Sequence, residues 1–88
     1  MIFSKFLIQK EPPALTRIER IEKVKNILKA NIGKEITINF YIIWETKSVN
    51  YKTTGIIIEC FGFQDVIIKT ENNIEFINIR YIIDYSFH

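Results

Sequence analysis

At Gly33 the spacing of apolar residues changes, and with it the kind of structure the chain can form. Before Gly33, Leu15, Ile18, Ile21, Val24, Leu28 and Ile32 recur at steps of three or four, which places them on one stripe of an α-helix. After it, Ile36, Ile38, Phe40, Ile42 and Trp44 alternate with Thr37, Asn39, Tyr41 and Ile43, which places the two sets on opposite faces of a strand. Thr16 and Glu19 have the spacing of a helix-starting capping box, and Pro13 can instead occupy the first helical position. Lys29 suits the negative end of the helix dipole, and Gly33 suits a stop.

The period of two continues to the end of the chain, broken by turn residues. Strands are expected over 35–44, 51–60, 65–70, 74–77 and 81–85, with a polar turn over 45–50. Gly55 inside the second strand predicts a bend or bulge. Glu71-Asn72-Asn73 predicts a tight turn of residues that tolerate positive φ, and 78–80 a single turn. The fold class expected is therefore mainly β with one N-terminal α-helix, the five short antiparallel strands bending into a small, partly open barrel that limits exposed edges. Residues 1–12 read as an apolar arm, a short strand or clinging segment ending at Pro12-Pro13, and 13–88 as the helix and barrel.

Composition sharpens this. Of 88 residues 20 are isoleucine and two are alanine, a balance that suits pleated sheet and argues against disorder. Ile56-Ile57-Ile58, Val66-Ile67-Ile68 and Ile82-Ile83 put apolar side chains on both faces of three strands. One face fills a core, and the other calls for the helix, the arm or another subunit, because large exposed apolar patches are uncommon on monomers. A homo-oligomer is the expectation.

The inventory limits the chemistry. Cys60 is the one cysteine and His88 the one histidine, so an intrachain disulfide is excluded, no metal-ligand spacing is visible, and a reducing cytoplasmic location fits. Glycines at 33, 55 and 62 are too scattered for a phosphate-cradling loop. No stretch approaches the about 18 apolar residues that span a bilayer, and the first eight residues lack a secretion-signal pattern. No base, nucleophile and stabiliser converge in sequence, so neither an enzyme nor a cofactor is expected.

Charge is distributed unevenly. Residues 16–34 carry a net +4 and residues 35–88 a net −3. A basic helix beside an acidic sheet has two readings, a solvated face or a footprint for nucleic acid. On the second reading Arg17, Arg20, Lys23 and Lys25 contact phosphates. Phe63, at a predicted turn, either stacks on an unpaired base or plugs a core or interface. Arg80 either binds a phosphate or anchors a neighbour's carboxylate. For Trp44 and Tyr41, core or subunit contact is the expected role.

The helix followed by five bent strands resembles the Sm-like fold over residues 15–86. The runs Ile32-Gly33-Lys34-Glu35-Ile36, Thr54-Gly55-Ile56-Ile57, Asp65-Val66-Ile67-Ile68 and Ile74 to Ile82 are similar to the YolD-like group of small bacterial and prophage proteins. The resemblance implies a ring in which strand 74–77 of one subunit pairs with 81–85 of the next. It implies RNA or single-stranded DNA as ligand, or, for a prophage accessory protein, a host protein or small nucleotide. Laid on the chain from Gly55, the Sm base-stacking position falls on Phe63. The acidic and amide positions fall on Phe61 and Asp65, and the arginine-glycine pair on Ile77-Asn78, so the usual uridine pocket is not preserved.

Overall fold

The computed structural model describes residues 16–88. The arm expected over 1–12 lies outside the described residues.

Helix α1 spans Arg17–Lys29. Its first turn is closed by the capping box: the Glu19 N–H donates to Thr16 Oγ1 at 3.1 Å, and the Thr16 N–H to Glu19 Oε1 at 3.0 Å. At the other end Asn31 Nδ2 donates to the Ile27 carbonyl at 2.7 Å, which satisfies a helix-end acceptor. Gly33 does not cap the helix, whose C-cap is Ala30. It takes a φ of +94° in the turn that follows, and its N–H donates to Ile57 O at 2.8 Å.

Five strands follow, β1 (Glu35–Trp44), β2 (Lys47–Phe61), β3 (Asp65–Lys69), β4 (Ile74–Asn78) and β5 (Ile82–Phe87), with a 3₁₀ turn over Ile79–Tyr81 before the last. They form one antiparallel sheet in the order β4-β3-β2-β1-β5. The sheet is open: β4 and β5 are its two edges, and they do not pair with each other. The strand pairing does not close the sheet into a barrel.

The core lies between α1 and one face of the sheet. Ile21, Val24 and Leu28 of the helix meet Ile36, Ile38, Ile57, Val66, Ile68, Ile77, Ile79 and Ile82. The predicted helix stripe is thus shorter than its periodicity. Ile18, in the first turn, is 62% exposed, and Ile32, beyond the helix end at Lys29, is also exposed.

Three local expectations change. The polar turn over 45–50 shrinks to Glu45-Thr46, with Glu45 at φ +57°, and β2 starts at Lys47. The turn after β3 uses no positive φ. The Thr70 hydroxyl accepts the Asn73 N–H at 3.0 Å, and the Thr70 N–H donates to Asn73 O at 2.8 Å. Gly55 is not the bulge, since the register shift in β2 lies between Ile57 and Glu59. Gly55 is required for close approach instead: a Cβ there would sit 2.5 Å from Lys69 O and 2.7 Å from Ile68 Cγ2.

Candidate nucleic-acid interface

Gly62 takes φ +65° and turns the chain from β2 into β3, leaving Phe63 at the tip, 53% exposed. The residue behind it, Gln64, accepts the Ile79 N–H on its backbone carbonyl at 2.7 Å. That bond joins the β2–β3 turn to the 3₁₀ turn, so Phe63 and Arg80 each sit one residue from a hydrogen-bonded pair. Asn78 shapes the second turn by accepting the Arg80 N–H on Oδ1 at 2.9 Å. Ile79 is buried under the helix, and Arg80 is exposed.

Around these two turns cations and rings alternate. The Lys25 ammonium lies 5.7 Å from the centre of the Phe63 ring. The Arg80 guanidinium lies 5.8 Å from the centre of Tyr81, whose ring is 5.0 Å from that of Tyr41. Two separate groupings, Lys25 with Phe63 and Arg80 with Tyr81 and Tyr41, therefore flank the joined turns. Ammonium and guanidinium groups neutralise phosphates, and ring faces stack on unpaired bases for about 1–3 kcal/mol each.

The helix cations do not form one surface. On a helix of 100° per residue, Arg20 and Lys25 are about 140° apart, one on each flank. Arg20 is half-buried, and its Nη2 donates to the Ile82 carbonyl at 2.8 Å, which pins α1 to the start of β5. Arg17 and Lys23 are exposed, and only Lys25 is brought against a predicted aromatic. Lys29 joins that flank. It stands one turn after Lys25, and both cations act on Cys60. Burial raises the Cys60 thiol above its ordinary range, the two lysines partly oppose this, and Glu59 adds to it. The four-residue spacing of Lys25 and Lys29 was the available signal for the pair. No sequence signal joins Tyr81 to Tyr41, which meet only because β5 pairs with β1.

Asp65 bounds the joined turns on the sheet side, opposite Asn78 in the β3–β4 register. It limits where a phosphate can lie. A separate open cleft over Gly55, lined by Glu35, Thr54, Ile56, Lys69, Thr70 and Glu71, contains none of the predicted binding residues. Among the described residues no three His, Cys, Asp or Glu side chains cluster as metal ligands. Every buried side-chain nitrogen or oxygen there has a hydrogen-bond partner. No described helix is long and apolar enough to cross a membrane.

The described residues form one helix on a five-stranded antiparallel sheet, with a mixed cationic and aromatic end. The chain matches no protein-family model, no curated protein and no solved structure.

Proposed function

We propose that this protein is a non-enzymatic, oligomeric binding module for RNA or single-stranded nucleic acid, with an Sm-like fold akin to the YolD-like group and a cytoplasmic location. The observation that carries the reading is the Gln64–Ile79 hydrogen bond, which sets the Phe63 and Arg80 turns side by side under Lys25. Bases stack on Phe63 and on the Tyr41–Tyr81 pair, while Lys25, Lys29 and Arg80 take phosphates. A hydrogen bond from Thr53 Oγ1 to Glu75 Oε1 at 2.8 Å, which links β2 to β4 past β3, supports a curved sheet of the Sm-like kind. The two unpaired edges support the ring, with β4 of one copy continuing the sheet at β5 of the next.

Fluorescence anisotropy with single-stranded RNA and DNA tests this. With three phosphate contacts the log–log salt slope is about −2. Phe63→Ala weakens binding by about 1–3 kcal/mol, the worth of one stacked base. Absence of binding at micromolar protein and about 50 mM salt, where phosphate contacts are strongest, overturns the reading.

A second reading, a prophage accessory protein that inhibits a host protein or a ring that sequesters a small nucleotide, draws on the exposed apolar outer face of β2, β3 and β4. A stoichiometric host partner in a pull-down, or a nucleotide released from the purified protein and seen by mass spectrometry, favours it over the first.

A further inference from the structure

Over β2, β3 and β4 the outer face of the sheet is ordered by charge as well as by apolar side chains. Val66 and Ile68 of β3 are buried in the core beneath α1, so the alternate residues Asp65, Ile67 and Lys69 stand on the outer face. An anion, an apolar side chain and a cation thus follow one another along β3, with Asp65 and Lys69 about 13 Å apart. The flanking strands complete three rows. Asp65 pairs with Phe61, Ile67 lies between Glu59 and Phe76, and Lys69 lies between Ile56 and Ile74. The apolar members of β2 and β4 are all exposed, Phe76 by 62%.

Pairing at the sheet edges leaves this face uncovered, because a strand added at β4 or β5 lies in the plane of the sheet. The cover comes from above the face, and the charge pattern identifies it. A face with opposite charges at its two ends complements itself under a two-fold axis that runs across the strands. Turning a second copy about such an axis at Ile67 reverses its strands. Asp65 then meets Lys69 of the second copy, Lys69 meets its Asp65, and the apolar row ends Ile56 and Phe61 come together. Glu35 and Glu71, which line a cleft with Lys69, fall at the end of the second copy that holds Arg80. An axis along the strands would instead set Asp65 on Asp65 and Lys69 on Lys69, and like-charge contact disfavours it. Packed sheets lie about 10 Å apart, a gap that an aspartate and a lysine bridge between them.

We infer that the outer face of β2–β4 docks on the same face of a second copy of this chain, strands reversed, with Asp65 and Lys69 exchanging ion pairs across a two-fold axis at Ile67. Removing Phe61, Ile74 and Phe76 from water supplies the driving force. The charges fix the orientation and select against other partners. Glu59 is the one group that this arrangement sets against itself: it flanks Ile67 and therefore approaches Glu59 of the second copy. The inference is independent of any nucleic-acid ligand and of pairing at the β4 and β5 edges.

Light scattering on the full chain reads the copy number. Asp65→Lys and Lys69→Asp should each halve it, because each variant alone sets like charges together at both ion pairs. Mixed in equal amounts, the two variants should regain the wild-type number, since a copy with two lysines then faces a copy with two aspartates. Glu59→Gln should hold the assembly together to a several-fold lower concentration on dilution. Circular dichroism should match wild type throughout, as all three positions lie on the face away from the core. If Asp65→Lys loses the fold, Lys69→Asp and Glu59→Gln decide the matter alone. The inference fails if the wild-type chain is a monomer at high micromolar concentration, or if a folded single swap keeps the wild-type copy number. It also fails if mixing the two folded swaps restores nothing, or if Glu59→Gln leaves association unchanged or weaker, since the axis would then lie elsewhere.

Discussion

The outer face of the sheet, turned away from α1, is two different surfaces. At Asp84 and Ser86 of β5, Thr37 and Asn39 of β1 and Thr54 of β2 it is polar and internally bonded. Thr37 Oγ1 shares a hydrogen bond with Thr54 Oγ1 at 2.8 Å and another with His88 Nε2 at 2.6 Å, and Asn39 Nδ2 donates to Asp84. Across the rest of β2, β3 and β4 the same face carries Ile56, Phe61, Ile67, Ile74 and Phe76. Ile74 and Phe76 are about three-fifths exposed, and Phe61 meets Phe76 edge-on at 6.2 Å. The polar half is complete in water. The apolar half ends at the free β4 edge, and contiguous apolar surface beside unpaired strand groups is the usual mark of an interface. One sheet therefore separates a finished surface from one that calls for a partner, which is why assembly is part of the proposed function.

Gly55 stands where the halves meet, between Thr54 of the polar set and Ile56 of the apolar one. A Cβ there collides with the β3 backbone, so Gly55→Ala should cost about 1–3 kcal/mol as overpacking, read as a lower urea midpoint. A change near zero would mean that β3 yields, and that the two halves are not held in fixed relation. Next in size is the apolar half itself. Ile74→Ser/Phe76→Ser should reduce the copy number seen by light scattering to one. Loss of the Phe61–Phe76 pair should cost the single chain only about 0.5–1.5 kcal/mol. Asp84→Asn on the polar half should leave copy number untouched; if it does not, the contrast between the halves is not what directs assembly.

A smaller effect sharpens the same contrast. Thr37→Val/Thr54→Val keeps shape, removes both partners of an exposed hydrogen bond, and should change stability by less than about 1 kcal/mol. It also makes the polar half more apolar, so a rise in copy number would show that added apolar surface there promotes association. The smallest effect concerns Cys60, on the inner side of the apolar half, where its Sγ lies 3.8 Å from the Lys25 carbonyl. Burial disfavours its thiolate, and the thiolate is the nucleophile. At about pH 8 Cys60 should therefore react with iodoacetamide more slowly than a free cysteine peptide, whose thiol ionises near 8.5. Equal rates would mean that the helix does not shield this end of β2.

Much of the local structure is legible in the chain. Thr16 and Glu19 announce the helix start, since a capping box needs only two residues three apart. The alternation from Glu35 to Trp44 marks β1 to the residue. Other features were misplaced because the deciding contact is distant in sequence. Lys47 to Asn50 look like loop by composition, yet they pair with residues 41–44. Gly55 looks like a bulge, but its constraint is Lys69, fourteen residues on. Of the predicted binding residues, Arg20 is engaged with Ile82. Lys25, Phe63 and Arg80 draw together through a helix, a β-turn and a 3₁₀ turn that no spacing rule connects.

The sequence by itself determined the elements, because helix and strand periods and end caps are local and depend on residues within a few positions. It also determined that Ile would be in excess of one small core. Only the tertiary structure decided which isoleucines that excess left outside. Burial depends on where α1 begins and ends over the sheet and on which strands become its edges. Those are relations between segments tens of residues apart, and among the described residues they leave the apolar face of β2–β4 and the Ile42 and Trp44 side chains of β1 exposed.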